Sequence, residues 1–267
     1  MKFIILSDIH GNIHALNACL NQIDKMDFDS IIWCGDYITD FPKSNEVIQK
    51  IQEYSKKYKS YIIAGNREKY IIEYEKRKES YNKEFSTAKE NLRYTYELLT
   101  KKDIEWIKAL PDYLEISYNK KKIYVSHKCT YEKIKDCNYK IFGHSHKQYN
   151  FRRDDIRYIN PGSVGITTDE IMGAQFSILE VTDKFEKLEE IIIKYDTTNT
   201  LELIKHTPIY NDDIKWGKLL EMELKTGIDY PQMCIKEYNR IRDEHRINEE
   251  SLEVWNIAIN NVLKVEV

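Results

Sequence analysis

The sequence has no long apolar run, no Cys-x-x-Cys pair, no excess of one charge and no low-complexity tract, and each absence removes a class of protein. Nothing approaches the ~20 consecutive apolar residues of a membrane-spanning helix, so no membrane partner is expected. The opening MKFIILSDIH offers only Phe3 to Leu6 before Ser7 and Asp8 intervene, which is too short for a secretory h-region. Cys19, Cys34, Cys129, Cys137 and Cys234 are odd in number and scattered, which argues against a disulfide framework or a zinc ribbon and predicts reduced thiols in a cytoplasmic protein. Lys and Arg number 41 against 44 Asp and Glu, a net charge of −3, so a nucleic-acid partner would need a local basic patch. No repeat and no Gly/Ser linker marks a boundary, and 267 residues suffice for one large domain or one domain with an appendage.

What is present is apolar patterning that changes period along the chain. Phe3 to Leu6 is a short Ile-rich run, as expected of a strand buried on both faces. Ala15, Leu16, Cys19, Leu20 and Ile23 fall at helical spacing, and Ile31 to Cys34 forms a second strand-like run ending at Gly35-Asp36. Val47, Ile48 and Ile51 suit a helix, and Tyr61 to Ala64 a third strand ending at Gly65-Asn66. From Glu68 to about Ala109 the chain is charged and helix-favouring, which predicts a helical insertion over about 69–110. Strand character returns at Leu114 to Tyr118, Lys122 to Ser126, Lys140 to Phe142, Asp155 to Asn160 and Gln175 to Val181, with turns at Tyr118-Asn119 and Asn160-Pro161-Gly162, so a second sheet is expected. Past Lys194 helical faces recur, among them Leu219, Leu220, Glu223 and Leu224, then Cys234, Tyr238 and Ile241, then Leu252, Trp255, Ile259, Val262 and Leu263, with Pro231 where a helix can begin. We therefore divide the chain into 1–194 and a helical extension over 195–267. The extension is a small subdomain, a cap over a site or a contact for a homo-oligomer; its pattern does not choose among them.

Five segments place oxygen or nitrogen donors just past an expected strand: Asp8-Ile9-His10, Gly35-Asp36, Gly65-Asn66-Arg67-Glu68, Ser126-His127 and Gly143-His144-Ser145-His146. Strand ends are where α/β proteins build sites. Singly each is weak, since an Asp-x-His reads equally well as a turn or a helix cap and a lone histidine as a packing residue. Together they gather four of the chain's seven histidines with carboxylate and amide oxygens, a donor set that suits Mn, Fe, Zn or similar ions and is too rich in imidazole for Mg or Ca. Glycine before Asp36, Asn66 and His144 is expected to allow the tight turns that aim these donors inward.

These blocks resemble, in order and over about two-thirds of the chain, the D-x-H, G-D, G-N-H-[DE], H and G-H-x-H motifs of the calcineurin-like metallophosphoesterase family. Asn160-Pro161-Gly162-Ser163 is similar to the segment that follows in its small bacterial and archaeal members. The resemblance implies a four-layer α/β/β/α sandwich of two mixed sheets, in agreement with the strand-helix pattern. It implies two divalent ions, with manganese expected and Fe, Zn, Co or Ni permitted: one held by Asp8, His10, Asp36 and His146, the other by Asp36, Asn66, His127 and His144, with Asp36 bridging. It further implies that a hydroxide bridging the ions attacks phosphorus in line, as two-metal sites do. The expected substrate is a small phosphomonoester or phosphodiester, bound with help from Arg67 and Asn12.

The sequence departs from the family where Arg67 replaces the histidine of the third motif, a residue thought to assist the leaving group. A guanidinium can bind phosphate oxygens bidentately but is a poor proton donor, so a preference for esters with acidic leaving groups is expected. Lys128 stands where a glycine is common. Gly35-Asp36-Tyr37-Ile38-Thr39-Asp40 lacks the arginine found in Ser/Thr protein phosphatases and dinucleotide polyphosphate hydrolases, which disfavours those substrates. Two rivals remain: a binding scaffold of the same fold without activity, disfavoured because all seven ligand positions carry metal-competent side chains, and a nuclease, disfavoured by the lack of a basic stripe.

Overall fold

Alternation along β1 (Lys2–Leu6) shows how the first sheet is gripped from both sides: Ile4 and Leu6 face one apolar cluster, Phe3 and Ile5 another, and all four are inaccessible to solvent. In the computed structural model, which describes residues 1–81, 87–118, 120–129, 136–211 and 215–264, β1 is followed by α1 (Ile13–Ile23), β2 (Ser30–Trp33), α2 (Ser44–Lys57) and β3 (Ser60–Ile62). The two crossovers make β1, β2 and β3 parallel neighbours. β9 (Ala174–Val181) pairs antiparallel with β1 and β10 (Glu186–Ile193) antiparallel with β9, giving the order β10-β9-β1-β2-β3.

The second sheet contains β4 (Tyr113–Tyr118), β5 (Lys121–Ser126), β6 (Tyr139–Ile141), β7 (Gln148–Arg153) and β8 (Ile156–Pro161) in the order β4-β5-β6-β8-β7. It too is mixed, with β5, β6 and β8 parallel and both edges antiparallel. The sheets meet through Phe3, Ile5, Ile32 and Ile63 from one side and Ile123, Val125, Ile141 and Ile159 from the other, while α1 and α2 cover the opposite face of the first sheet. This is the α/β sandwich of two mixed sheets expected from the sequence. The β5–β6 connection runs through 130–135 and the β4–β5 turn through Asn119, both outside the described residues.

The expected insertion comprises α3 (Asn66–Tyr81), α4 (Thr87–Leu98) and α5 (Lys101–Lys108), with 82–86 outside the described residues. α5 opens on a capping box between Thr100 and Asp103. Because α3 begins at Asn66, Asn66 and Arg67 sit on a helical first turn, one step beyond the strand-end loop the sequence suggested. Two strands, β7 and β10, and two helices, α6 (Thr198–Lys205) and α7 (Pro208–Asn211), were not anticipated. β7 and β10 escaped because they are sheet edges whose alternation is broken by charge: β7 reads Gln-Tyr-Asn-Phe-Arg-Arg and β10 is rich in glutamate.

The C-terminal helices α8 (Trp216–Thr226), α9 (Tyr230–His245) and α10 (Leu252–Lys264) build a core of their own. Asp229 caps α9 through a 2.8 Å bond from Gln232 N, Pro231 lies in its first turn, and Tyr238 stacks on Trp255 with ring centres 3.8 Å apart. This core reaches the first region through Phe41 and Ile166, two residues from loops that also carry site groups. No helix among the described residues is long and apolar enough to cross a membrane.

Candidate metal centre

All seven expected ligands meet at the C-terminal ends of parallel strands, Asp8 and His10 after β1, Asp36 after β2, Asn66 after β3, His127 after β5, and His144 and His146 after β6. Six of them fall into two groups, Asp8 with His10 and His146, and Asp36 with His127 and His144, each with donor atoms within 4.8 Å of one another. In the first, His10 Nε2 lies 3.0 Å from His146 Nε2 and 3.9 Å from Asp8 Oδ1. In the second, His127 Nε2 lies 3.2 Å from Asp36 Oδ2 and 2.9 Å from Asn66 Oδ1. Asp36 Oδ2 is also 3.9 Å from His10 Nε2, so one oxygen stands between the groups. The other oxygen, Oδ1, accepts a 2.7 Å bond from Arg67 N.

The loops are stitched to one another before any ion is considered. Asp8 N donates to Gly35 O, Ile9 N and His10 N both donate to Asp36 O, and His144 N donates to both Asp8 carboxylate oxygens at 3.1 and 3.0 Å. Glu68 is fully buried, and its carboxylate accepts from Asp36 N, Tyr37 N and Gly65 N at 2.9, 2.8 and 2.7 Å, tying the second and third motifs together. The Asn160 amide donates to Gly143 O and Ser145 Oγ, and Ser163 Oγ donates to Asp8 O, which explains why that turn belongs with the ligand segments.

The glycines act differently from expectation. Gly35 has φ +90°, but Gly65 and Gly143 are needed for close approach: a Cβ would lie 2.2 Å from Asp36 Oδ1 at the first and 1.9 Å from Ser7 Oγ at the second. The positive φ sits on ligands themselves, Asp8 (55°), His10 (53°), Asp36 (55°), His144 (72°) and His146 (54°). Non-glycine residues there are uncommon and mark functional sites when the surroundings enforce them.

Electrostatics follow from this crowding. Burial pushes Asp8 and Asp36 up, but the neighbouring histidines outweigh it and hold both below the usual carboxylate range. Burial pushes His10 down, yet Asp40 and Asp8 lift it to about 10, and Asp36 and Asp8 lift His127 to about 9. Burial takes His146 down to about 4 and also lowers His144. The carboxylates thus favour positive charge on His10 and His127, a preference that a divalent ion would also meet. The rings are also set for ligation: His127 Nδ1 lies 2.8 Å from Cys34 O and His10 Nδ1 2.7 Å from Asp40 Oδ2, which leaves each Nε2 for an ion. Two imidazole nitrogens 3.0 Å apart, each within 4 Å of the Asp8 carboxylate, are a set that a divalent ion fits.

Arg67 turns into the site, with one guanidinium nitrogen 3.1 Å from Asp40 Oδ2 and its side chain 30% exposed. Lys128 is exposed. The substrate contact expected for Asn12 is not where the structure places it: Asn12 Oδ1 accepts from Ala15 N and Thr200 Oγ1, and Nδ2 donates to Gly165 O and Tyr195 OH. Those four bonds use the whole capacity of an amide, so Asn12 caps α1 and anchors α6. Two groups were missed. Asp40, near His10, Arg67 and Asn91, falls in no motif block. Glu223 was visible only as an acid on an apolar helix face, and it lines the cavity beside the ligands.

A double mixed sheet that gathers carboxylate, amide and imidazole donors at its strand ends defines a metal-dependent hydrolase. Residues 1–184 match the calcineurin-like phosphoesterase superfamily domain, and the chain belongs to that family: it is a metal-dependent phosphoesterase. It is 27% identical to a protein of Methanocaldococcus jannaschii described as uncharacterized, with 75% of this chain and 90% of that one covered. Its fold is similar to that of a metallophosphoesterase from Sphaerobacter thermophilus, at TM-score 0.64 and 19% identity over 85% of this chain and 100% of that one. It is also similar to a hypothetical protein from Pyrococcus horikoshii, at TM-score 0.62 and 21% identity over 85% and 98%.

Proposed function

We propose that the chain hydrolyses small phosphomonoesters or phosphodiesters with two divalent cations, one held by Asp8, His10, Asp36 and His146, the other by Asp36, Asn66, His127 and His144. The observation that carries this reading is the single Asp36 oxygen lying within 4 Å of a histidine from each group. Bound there, the ions supply Lewis-acid chemistry, polarising the phosphoryl group and acidifying water. Manganese is the ion we expect in use, in a reducing cytoplasmic setting that five scattered cysteines with no Cys-x-x-Cys pair support.

The chain's own residues do the rest. Arg67 N pins Asp36 Oδ1, so that only Oδ2 faces both groups. The Arg67 guanidinium, held charged by Asp40 and Asp36 against the effect of burial, offers donors to phosphate oxygens. Asp36, Asn66, His144 and His146 share a cavity of about 210 Å³ with Trp216, Leu220 and Ile235 of α8 and α9, so a substrate there meets the helical extension as it meets these four residues. That volume favours a small ester over a polymer.

The test is hydrolysis of p-nitrophenyl phosphate and bis-p-nitrophenyl phosphate by metal-stripped protein after Mn²⁺ is returned, with Asp36→Asn alongside. Metal-dependent turnover that the variant loses supports the reading, and the ratio of the two rates separates monoesterase from diesterase. A folded protein that binds no divalent ion would revive the scaffold reading.

A further inference from the structure

Where the third motif of the family carries a histidine for the leaving group, this chain has an arginine that stays protonated at neutral pH, so the departing oxygen needs another proton source. The cavity wall opposite the ligands holds one candidate. On α8, Trp216, Leu220 and Glu223 are spaced so that they share a helical face, and all three line the cavity that contains Asp36, Asn66, Arg67, His144 and His146. Glu223 is 4% exposed. Its carboxyl has no hydrogen-bond or ion-pair partner among the described residues, although a buried carboxyl normally has one.

We propose that Glu223 is the proton donor to the leaving oxygen, brought to the reaction by the helical extension in place of the residue that Arg67 displaced. This rests on the hydrolytic reading above and extends it. The water oxygen forms a bond to phosphorus, the ester P–O bond breaks, and its electron pair moves to the leaving oxygen, which takes the proton of Glu223. The proton lost by the attacking water restores the acid, so the net reaction is ester plus water to alcohol plus phosphate.

The surroundings suit the task. Burial pushes the Glu223 carboxyl well above its ordinary value, and Asp229 and Asp40 push it further, while His10 and Arg67 oppose them. The groups facing it come from the loop after β1 (His10), the loop after β2 (Asp40), α3 (Arg67) and the loop between α8 and α9 (Asp229), with Glu170, Lys194 and Lys225 around an adjoining cavity that Glu223 also lines. These surroundings favour the protonated form of the carboxyl, the form from which a proton can pass to the ester. A wild-type enzyme so equipped hydrolyses alkyl as well as aryl esters, and the bias toward acidic leaving groups that Arg67 alone implies appears only when Glu223 is removed.

The experiment compares full-length Mn²⁺-loaded wild type, Glu223→Gln and Glu223→Asp on p-nitrophenyl phosphate, phenyl phosphate and an alkyl phosphate of matched size, with kcat/KM followed against pH. General-acid catalysis contributes about 10²–10⁴-fold. Glu223→Gln should therefore lose at least about a hundredfold more on the alkyl ester than on p-nitrophenyl phosphate. It should also lose the alkaline limb of the alkyl profile, and Glu223→Asp should recover part of the loss. Melting curves and metal content identify any variant that fails to fold, in which case Glu223→Asp carries the comparison. Equal losses on all three esters, or none, overturn the proposal while wild-type turnover leaves the hydrolytic reading standing. No wild-type turnover on any ester overturns both.

Discussion

The loops that carry the ligands and the helices that close over them are held by different mixtures of forces. The loops bury Ile9, Tyr37 and Ile38 in the first core but are fixed as well by hydrogen bonds between segments far apart in sequence, such as Asp8 N to Gly35 O and His144 N to the Asp8 carboxylate. The C-terminal helices are held by burial, around Trp216, Leu219, Tyr238, Trp255 and Ile259, and touch the loops through Phe41 and Ile166. Hydrogen-bonded loops demand particular residues at particular positions, whereas an apolar core accepts many. The first region can therefore specify ion binding closely while the second is free to vary what enters.

The sharpest way to break this comparison is Asp36→Asn, which removes the oxygen facing both donor groups. We expect turnover to fall by about 10³-fold or more, corresponding to several kcal/mol of lost charge stabilisation. Trp255→Ala should destabilise the helices by about 3–5 kcal/mol, a cost typical of removing a buried aromatic, read as a lowered melting temperature. Its metal affinity should stay within about twofold of wild type; a parallel loss of affinity would show that the two regions act as one cooperative unit. Asp40→Asn should weaken metal binding by about 10–100-fold through the misoriented His10 ring, measured by metal titration. Turnover should be least affected in Asn12→Ala, whose cost is in stability, about 2 kcal/mol or more, because the cap of α1 is lost together with the bonds to Gly165, Tyr195 and Thr200. If instead KM rises tenfold with stability unchanged, Asn12 touches substrate after all.

What the sequence revealed divides along the same line. Strands β1, β2 and β5 and helix α1 were readable because buried parallel strands are apolar runs and an amphipathic helix has a period. The cluster of candidate donors was readable because Asp8-x-His10 and Gly143-His144-x-His146 place donors in fixed local spacing. Asp40 was not, since its role comes from reaching His10, Arg67 and Asn91 at once, a relation created by folding. Glu223 was hidden for the opposite reason: an acid on the apolar face of α8 looks like a blemish in the pattern until the cavity is seen. Edge strands β7 and β10 went unseen because charge at a sheet edge erases the signal of alternation.

The positive φ angles at Asp8, His10, Asp36, His144 and His146 bear on how this centre can evolve. Aspartate and histidine are among the few side chains that tolerate such backbone, so each position is constrained twice, by its donor atom and by its turn. Replacing one with cysteine, which would favour softer ions, or with glutamate, which would lengthen the reach, works against the chain path as well as the coordination. A change of ion preference would meet less resistance at the residues that orient these donors, such as Asp40, than at the donors themselves.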